Sequence, residues 1–321
     1  MSAEGIPTGA HALVTPVQKA RILAEALPFI RAFHASTLII RFGGGAMADP
    51  ALREGFARDV ALLRLVGMNP VIVHGGGWRI DDLLPKMGLD NRRQSGIRVT
   101  DEATLNVVEM VLGEINQELV GLITRFGAKA VGLSGQDGRF IHARKLVLPP
   151  DEPDGVARDF GLVGEVESID PDVVHLLMSR GFIPVIMPIG VGADGTAYLI
   201  NSDAFAGELA RTLHAEKLIL MTNVPGIHDH DGRLAFVLTA REAEALLRDG
   251  VVAAELRPRV EAALSAVREG VRSVHIIDGG VPSALLLEVL TNSGIGTAVR
   301  SDAGPHFLDD SRSYFASAGD E

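Results

Sequence analysis

The chain has 321 residues, about twice the ~150 of a typical domain, so one large or two modest domains are expected. Hydrophobic residues make up 47% and charged residues 22%, which excludes a largely disordered chain. Acidic residues outnumber basic ones 41 to 30, a formal charge of −11, so a broad electrostatic grip on nucleic acid or an anionic membrane is disfavoured. Any anionic ligand must be held locally. Cysteine is absent, which removes disulfides, thiolate catalysis and thiolate metal sites, and fits a reducing compartment. The first residues lack a basic segment followed by an apolar one, and no apolar run approaches the ~18 residues of a membrane span. The expectation is a soluble cytoplasmic protein with no nucleic-acid or membrane partner.

In chain order, residues 16–34 carry Ile22, Leu23, Leu27, Ile30 and Phe33 at helical spacing, an amphipathic helix suited to an oligomerisation arm. Residues 37–42 form a short apolar run that ends in Gly43, Gly44 and Gly45. A helical stretch over 50–66 follows, and then a second run over 70–74 that ends in Gly75, Gly76 and Gly77. Strand, glycine turn, helix, strand is the pattern of parallel βαβ units. A long helix starts after residue 100, with Thr100 as the expected N-cap and Asp101 and Glu102 in its first turn. Extended pieces over 140–148 and 162–168 flank a Pro/Asp/Gly-rich connection, which predicts a hairpin or flap. Residues 182–187, 217–222 and 274–277 read as further strands, and Thr239 with Glu242 forms a capping box whose helix ends at Gly250. The expected fold is an α/β three-layer sandwich with a mostly parallel central sheet. Its expected divisions are an N-terminal helix within 1–35, a substrate half over 36–195, a nucleotide half over 196–303 and a loose polar tail over 304–321.

Glycine bends at the carboxyl ends of two strands let backbone N–H groups approach a phosphate, and a helix start beyond each bend adds favourable partial charge. Three other motifs carry less. Residues 190–195 satisfy G-x-G-x-x-G, but the next residues read as extended, and a dinucleotide fingerprint needs a helix there. The HGGG at 74–77 has no G-x-S-x-G nucleophile elbow to serve. The His228-Asp-His230 stretch precedes an Asp-Gly pair and reads as an exposed turn, so no metal site is expected.

Seven segments in register resemble the N-acetylglutamate kinase family: LIIRFGGGAM at 38–47, VIVHGGG at 71–77, SGIRVTD at 95–101, AVGLSG at 130–135, GEVES at 164–168, MTNVPGI at 221–227 and SVHIIDG at 273–279. The resemblance covers residues 20–299. It implies the amino-acid-kinase fold, with ATP and Mg2+ as the phosphoryl source and a small acyl amino acid as acceptor. The side-chain carboxylate of N-acetyl-L-glutamate, or of a close relative, would be phosphorylated in arginine biosynthesis by a homodimer or hexamer. By resemblance, Gly44, Gly45, Gly76 and Gly77 would donate N–H groups to phosphate and substrate oxygens, and Arg98 would clamp the substrate α-carboxylate. Leu199 and Asn201 fall in the substrate segment. Arg41, Asp203 and Arg259 take the catalytic positions, with Asp203 orienting the cations. Gly43, Gly75, Lys217, Thr222, Val224, Gly226 and Ile227 fall in the segments that hold nucleotide.

Departures from that family cluster at the same place. Its members usually carry lysine at the positions of Arg41 and Arg259, asparagine at that of Leu199 and aspartate at that of Asn223, and Trp78 is bulkier than the usual residue. Arginine keeps the charge but not the compact ammonium. A kinase of this type is the expected function. A catalytically silent relative that binds ligand or regulates a partner is the alternative, and a carbamate or uridylate kinase is a more distant one.

Overall fold

Apolar runs that end in glycine become buried parallel strands, and the stretches of helical periodicity between them cover the two faces of one sheet. The computed structural model describes residues 15–148, 158–292 and 294–302. The expected polar tail over 304–321 lies outside the described residues, as do the chain's first residues and the connection over 149–157.

Helix α1 (Pro16–Phe33) opens with a capping box between Thr15 and Gln18, and buries Phe29 and Phe33 while Val17, Ile22, Leu23 and Leu27 stay exposed. Strand β1 (Thr37–Phe42) leads through the first glycine bend to α2 (Gly45–Ala48) and to α3 (Pro50–Leu65), which Asp49 caps. Strand β2 (Asn69–His74) leads through the second bend to α4 (Gly77–Lys86). A tight hairpin, β3 (Arg93–Gln94) and β4 (Ile97–Arg98), precedes the long α5 (Glu102–Arg125). The cap of α5 is Asp101, whose carboxylate accepts from the Thr104 N–H, and not Thr100. Thr100 instead pairs with Gly161 in an isolated bridge, because its backbone is claimed by the neighbouring strand.

Next come β5 (Lys129–Ser134), β6 (Ile141–Leu148), β7 (Arg158–Ile169), α6 (Asp172–Ser179), β8 (Phe182–Met187), β9 (Ile189–Val191) and β10 (Ala197–Ile200). They are followed by α7 (Ser202–Thr212), β11 (Lys217–Thr222), β12 (Val237–Thr239), α8 (Ala240–Arg248), α9 (Arg257–Arg268), β13 (Ser273–Asp278), α10 (Ala284–Leu290) and β14 (Thr297–Arg300). The Thr239/Glu242 capping box is present, and Gly250 follows the end of α8 in the left-handed region. No helix follows the glycines at 190–195; β10 pairs back on β9 instead.

Eight strands form the central sheet in the order β12-β14-β13-β11-β1-β2-β8-β5, parallel except where β13 meets β14. Ile39 faces one core with α7, α8 and α9, while Leu38, Ile40 and Phe42 face the other with α3, α5 and α10. That alternation gives three layers and explains why the strands read as continuous apolar runs. β6 pairs antiparallel with β7, as the predicted flap requires, and with β9 and β10 they form a small closed sheet beside the main one.

Candidate functional site

Strand order puts the two glycine bends together. β11, β1 and β2 are neighbours in parallel register, with Arg41 level with Leu220 on one side and Val73 on the other. Both bends and the end of β11 therefore emerge on one rim, at the carboxyl ends of the strands, where open α/β sheets bind ligands.

Arg41, the penultimate residue of β1, is buried beneath this rim. Its Nε lies 2.7 Å from Asp203 Oδ1, its Nε and Nη2 both donate to Ser202 Oγ, and Nη1 donates to the Met221 carbonyl. Burial lowers the pKa of this guanidinium from its ordinary value, with Asp203 opposing the shift. Asp203 sits in the first turn of α7. The helix cap itself is Asn201, whose side chain accepts the N–H groups of Asp203 and Ala204, so the Asp203 carboxylate is left for the cations. Arg259 approaches from the first turn of α9, its Nε 3.8 Å from Asp203 Oδ2 and its Nη1 donating to the Glu255 carbonyl. Arg259 Nε is buried yet finds no hydrogen-bond acceptor. An N–H group in that position is unfavourable until an acceptor arrives. One carboxylate thus gathers two guanidiniums from elements far apart in the chain.

The glycine bends behave differently from one another. A Cβ on Gly43 would stand 2.1 Å from Arg41 Nη1, so the missing side chain is the space the guanidinium fills. Gly44 lies at φ 74° under the amide of Asn223, and the Gly45 N–H donates to Asn223 Oδ1 at 2.5 Å. In the second bend, a Cβ on Gly76 would press on Leu112 and Ile115 of α5, which makes its small size a packing requirement. Gly75 and Gly77 have room around them. His74 braces this bend: burial pushes its pKa down to about 4, so the ring is neutral. Its Nε2 accepts from Asn116 and its Nδ1 lies 3.0 Å from the Gly75 carbonyl, which assigns the proton to Nδ1.

A cavity of about 390 Å³ opens on the rim, lined by Asn201, Asp203, Thr222, Asn223, Val224 and Arg259 among others. Thr222 and Val224 therefore line it, and Thr222 Oγ1 accepts the Val224 N–H. Of the other expected nucleotide residues, Gly43 and Gly75 lie in the bends but not in this lining, and three stand away from it. Gly226 and Ile227 turn back onto β14, where the Ile227 N–H donates to Thr297 Oγ1. Lys217 opens β11 at the opposite, amino-terminal end of the sheet, with its Nζ 3.0 Å from His275 Nε2 and over the Phe33 ring. Burial pushes its pKa down to about 8.

Arg98, the expected carboxylate clamp, is buried on β4. Its Nη2 donates to Asp81 at 2.6 Å and its Nη1 donates to Asn91, rather than pairing with Asp101 or Glu102. Burial works to raise the Asp81 pKa, but the Arg98 and Asn91 hydrogen bonds and the nearby guanidiniums outweigh it and hold the carboxyl below its usual range. Leu199 on β10 is half-buried and packs on the α5 side core. Its side chain offers no polar atom. Sequence reasoning missed Ser202, Asp81, Glu255 and Arg93, which also lines the cavity. Only the Ser-Gly hairpin turn beside Arg93 carried a local signal.

Among the described residues no cluster of three or more histidine, aspartate and glutamate side chains is placed to hold a metal ion. Asp203 is already engaged by two guanidiniums. The donor set fits a magnesium ion that arrives on a nucleotide and keeps phosphate and water ligands, not one caged by protein carboxylates. No helix among the described residues is long and apolar enough to cross a membrane.

The profile of the amino acid kinase family matches residues 36–278. The chain is 54% identical over 289 residues to the acetylglutamate kinase of Polynucleobacter asymbioticus, covering 90% of this chain and 96% of that one. It is 56% identical over 285 residues to the acetylglutamate kinase of Chromobacterium violaceum, covering 88% and 98%. Among solved structures, N-acetylglutamate synthase from Neisseria gonorrhoeae, complexed with coenzyme A and N-acetyl-glutamate, superposes with a TM-score of 0.78 at 28% identity. That match covers 89% of this chain and 64% of the synthase chain. Carbamate kinase from Giardia lamblia shares the fold alone, with a TM-score of 0.60 at 18% identity over 84% of this chain and 99% of that one.

Proposed function

The chain belongs to the amino acid kinase family, and from that premise we propose that it transfers the γ-phosphoryl group of ATP to the side-chain carboxylate of N-acetyl-L-glutamate. A carboxylate oxygen attacks the γ-phosphorus, the bond to the β,γ-bridging oxygen breaks, and ADP leaves with that electron pair while an acyl phosphate forms. The acceptor is already ionised at neutral pH, so no general base is needed. Both reactants are anions, and the protein's work is alignment and charge neutralisation.

The convergence of Arg41 and Arg259 on Asp203 beside the glycine bends is the observation that carries this reading. Positive charge is retained where the family usually has lysine: Arg259 lines the cavity, and Arg41 lies buried beneath its rim. Arg259 adds an unsatisfied buried N–H and the partial positive charge of the α9 amino terminus. These features, with relatives above half identity along nine-tenths of the chain, do not favour the silent alternative. Arg98 takes the substrate α-carboxylate in exchange for Asp81, and magnesium enters with the nucleotide. Gly77 has space to offer its N–H to substrate oxygens, whereas the Gly75 N–H already donates to the Phe42 carbonyl.

Trapping the product with hydroxylamine tests the reading. Purified protein with ATP, magnesium and N-acetyl-L-glutamate is expected to give hydroxamate, and far less with unacetylated glutamate. Absence of product across a panel of acyl amino acids would overturn it.

A further inference from the structure

We propose that Arg93, on the hairpin that carries the substrate clamp, is a phosphate-binding residue that reaches across the cavity to the nucleotide. The cavity is lined on one side by Arg93 and Gly96 of this hairpin and on the other by Asp203, Asn223, Glu255 and Arg259. The hairpin is a rigid carrier. Ser95 (φ 50°) and Gly96 (φ 80°) both adopt left-handed backbone, the geometry of a tight two-residue turn whose twist matches its strands. Arg158 of β7 donates to Ser95 Oγ at 2.7 Å and pins the tip.

Charge then selects the ligand. Arg93 Nη2 lies 3.2 Å and 3.1 Å from the two oxygens of Asp81, but that carboxylate is shared with the buried Arg98. One anion serves two guanidiniums, so the hairpin carries an uncompensated positive charge. Across the cavity, Arg41 and Arg259 likewise share the single carboxylate of Asp203, and Glu255 meets Arg259 through its main-chain carbonyl. Arg93 extends that positive charge to the side facing the acceptor. Arg93 is 44% exposed at its side chain, and a planar guanidinium is well shaped for phosphate oxygens. When the acceptor's α-carboxylate takes Arg98, Asp81 is released to Arg93 alone. Acceptor binding and phosphate binding therefore meet at one carboxylate.

This inference rests on the nucleotide reading above, and the test separates the two. Calorimetry would measure ATP with magnesium, and AMP alone, on the wild-type protein, on Arg93→Gln and on Arg93→Lys. The expected result is about tenfold weaker ATP binding in the glutamine variant, with AMP within about twofold and the lysine variant recovering most of the loss. The KM for the acyl acceptor is expected to rise only in the glutamine variant, by a few-fold, since Asp81 then has no second guanidinium to receive it when the acceptor takes Arg98. Unchanged ATP affinity in Arg93→Gln, or an equal loss for ATP and AMP in both variants, would overturn the role of Arg93 and leave the kinase reading standing. No ATP binding by the wild-type protein would overturn both.

Discussion

The side-chain oxygen of Asn223, at the carboxyl end of β11, accepts the backbone N–H of Gly45 in the bend after β1, at 2.5 Å and across 178 residues of sequence. The donor the bend would offer to a phosphate is already used by the protein itself. On the proposed reading, ligand binding here is an exchange in which a phosphate oxygen displaces an amide oxygen.

That exchange predicts what removing the competitor does. Asn223→Ala frees the Gly45 N–H, and because one such bond is worth about 0.5–1.5 kcal/mol net, ATP is expected to bind about two- to tenfold more tightly. Calorimetric titration reads it. A weaker complex for the alanine variant would show Asn223 to be a ligand contact rather than a competitor.

Gly43 is tied to Arg41 by sterics. An added Cβ would lie 2.1 Å from Nη1, and the guanidinium cannot swing aside cheaply because Ser202, Met221 and Asp203 all hold it. Gly43→Ala is expected to displace that charge and lower kcat by about 10- to 100-fold, with a smaller change in KM for either substrate. Gly77→Ala is the companion variant. A Cβ there meets nothing within 4 Å, so any loss reports contact with ligand and not repacking. Steady-state kinetics with both substrates varied distinguishes the two cases, and unchanged kcat in Gly43→Ala would show that Arg41 is not held where catalysis needs it.

The layered fold and the meeting of the two glycine bends were legible because both depend on local pattern. Apolar runs such as 37–42 and 69–74 end in glycine, and consecutive parallel strands lie side by side. Arg41 and Asp203 were legible through the resemblance. What was lost is whatever depends on which end of a strand a residue occupies, or on partners brought in by the fold. Lys217 and Thr222 are five positions apart in one segment, yet they stand at opposite ends of β11. Gly226 and Ile227 follow Thr222 closely but are drawn to β14 by Thr297. Thr100 looked like a cap, but its bridge to Gly161 is a contact made 61 residues downstream and Asp101 takes the role. Arg93 could not be told from an ordinary surface arginine until the hairpin was placed over the cavity.

Away from the site, Asp59 of α3 is only 2% exposed, and its Oδ1 lacks a hydrogen-bond partner. Burial pushes its pKa up to about 6, despite Arg58 and the hydrogen bonds from Ser283 and Leu286 at the start of α10. The folded state therefore holds this proton more tightly than the unfolded chain, where the ordinary value is 3.8. Its contribution to stability is greatest below that ordinary value, declines as pH rises toward about 6, and is an undiminished cost above it. Asp59→Asn removes the buried charge at neutral pH while keeping an acceptor for Ser283. The variant is expected to be more stable by about 1–3 kcal/mol at pH 7.5, with the gain shrinking toward zero near pH 4. Urea midpoints at the two pH values measure it. A gain independent of pH would mean that the carboxyl titrates at the same pH in the folded and unfolded chain, and a loss at both values would mean that its hydrogen bonds to α10 outweigh its desolvation.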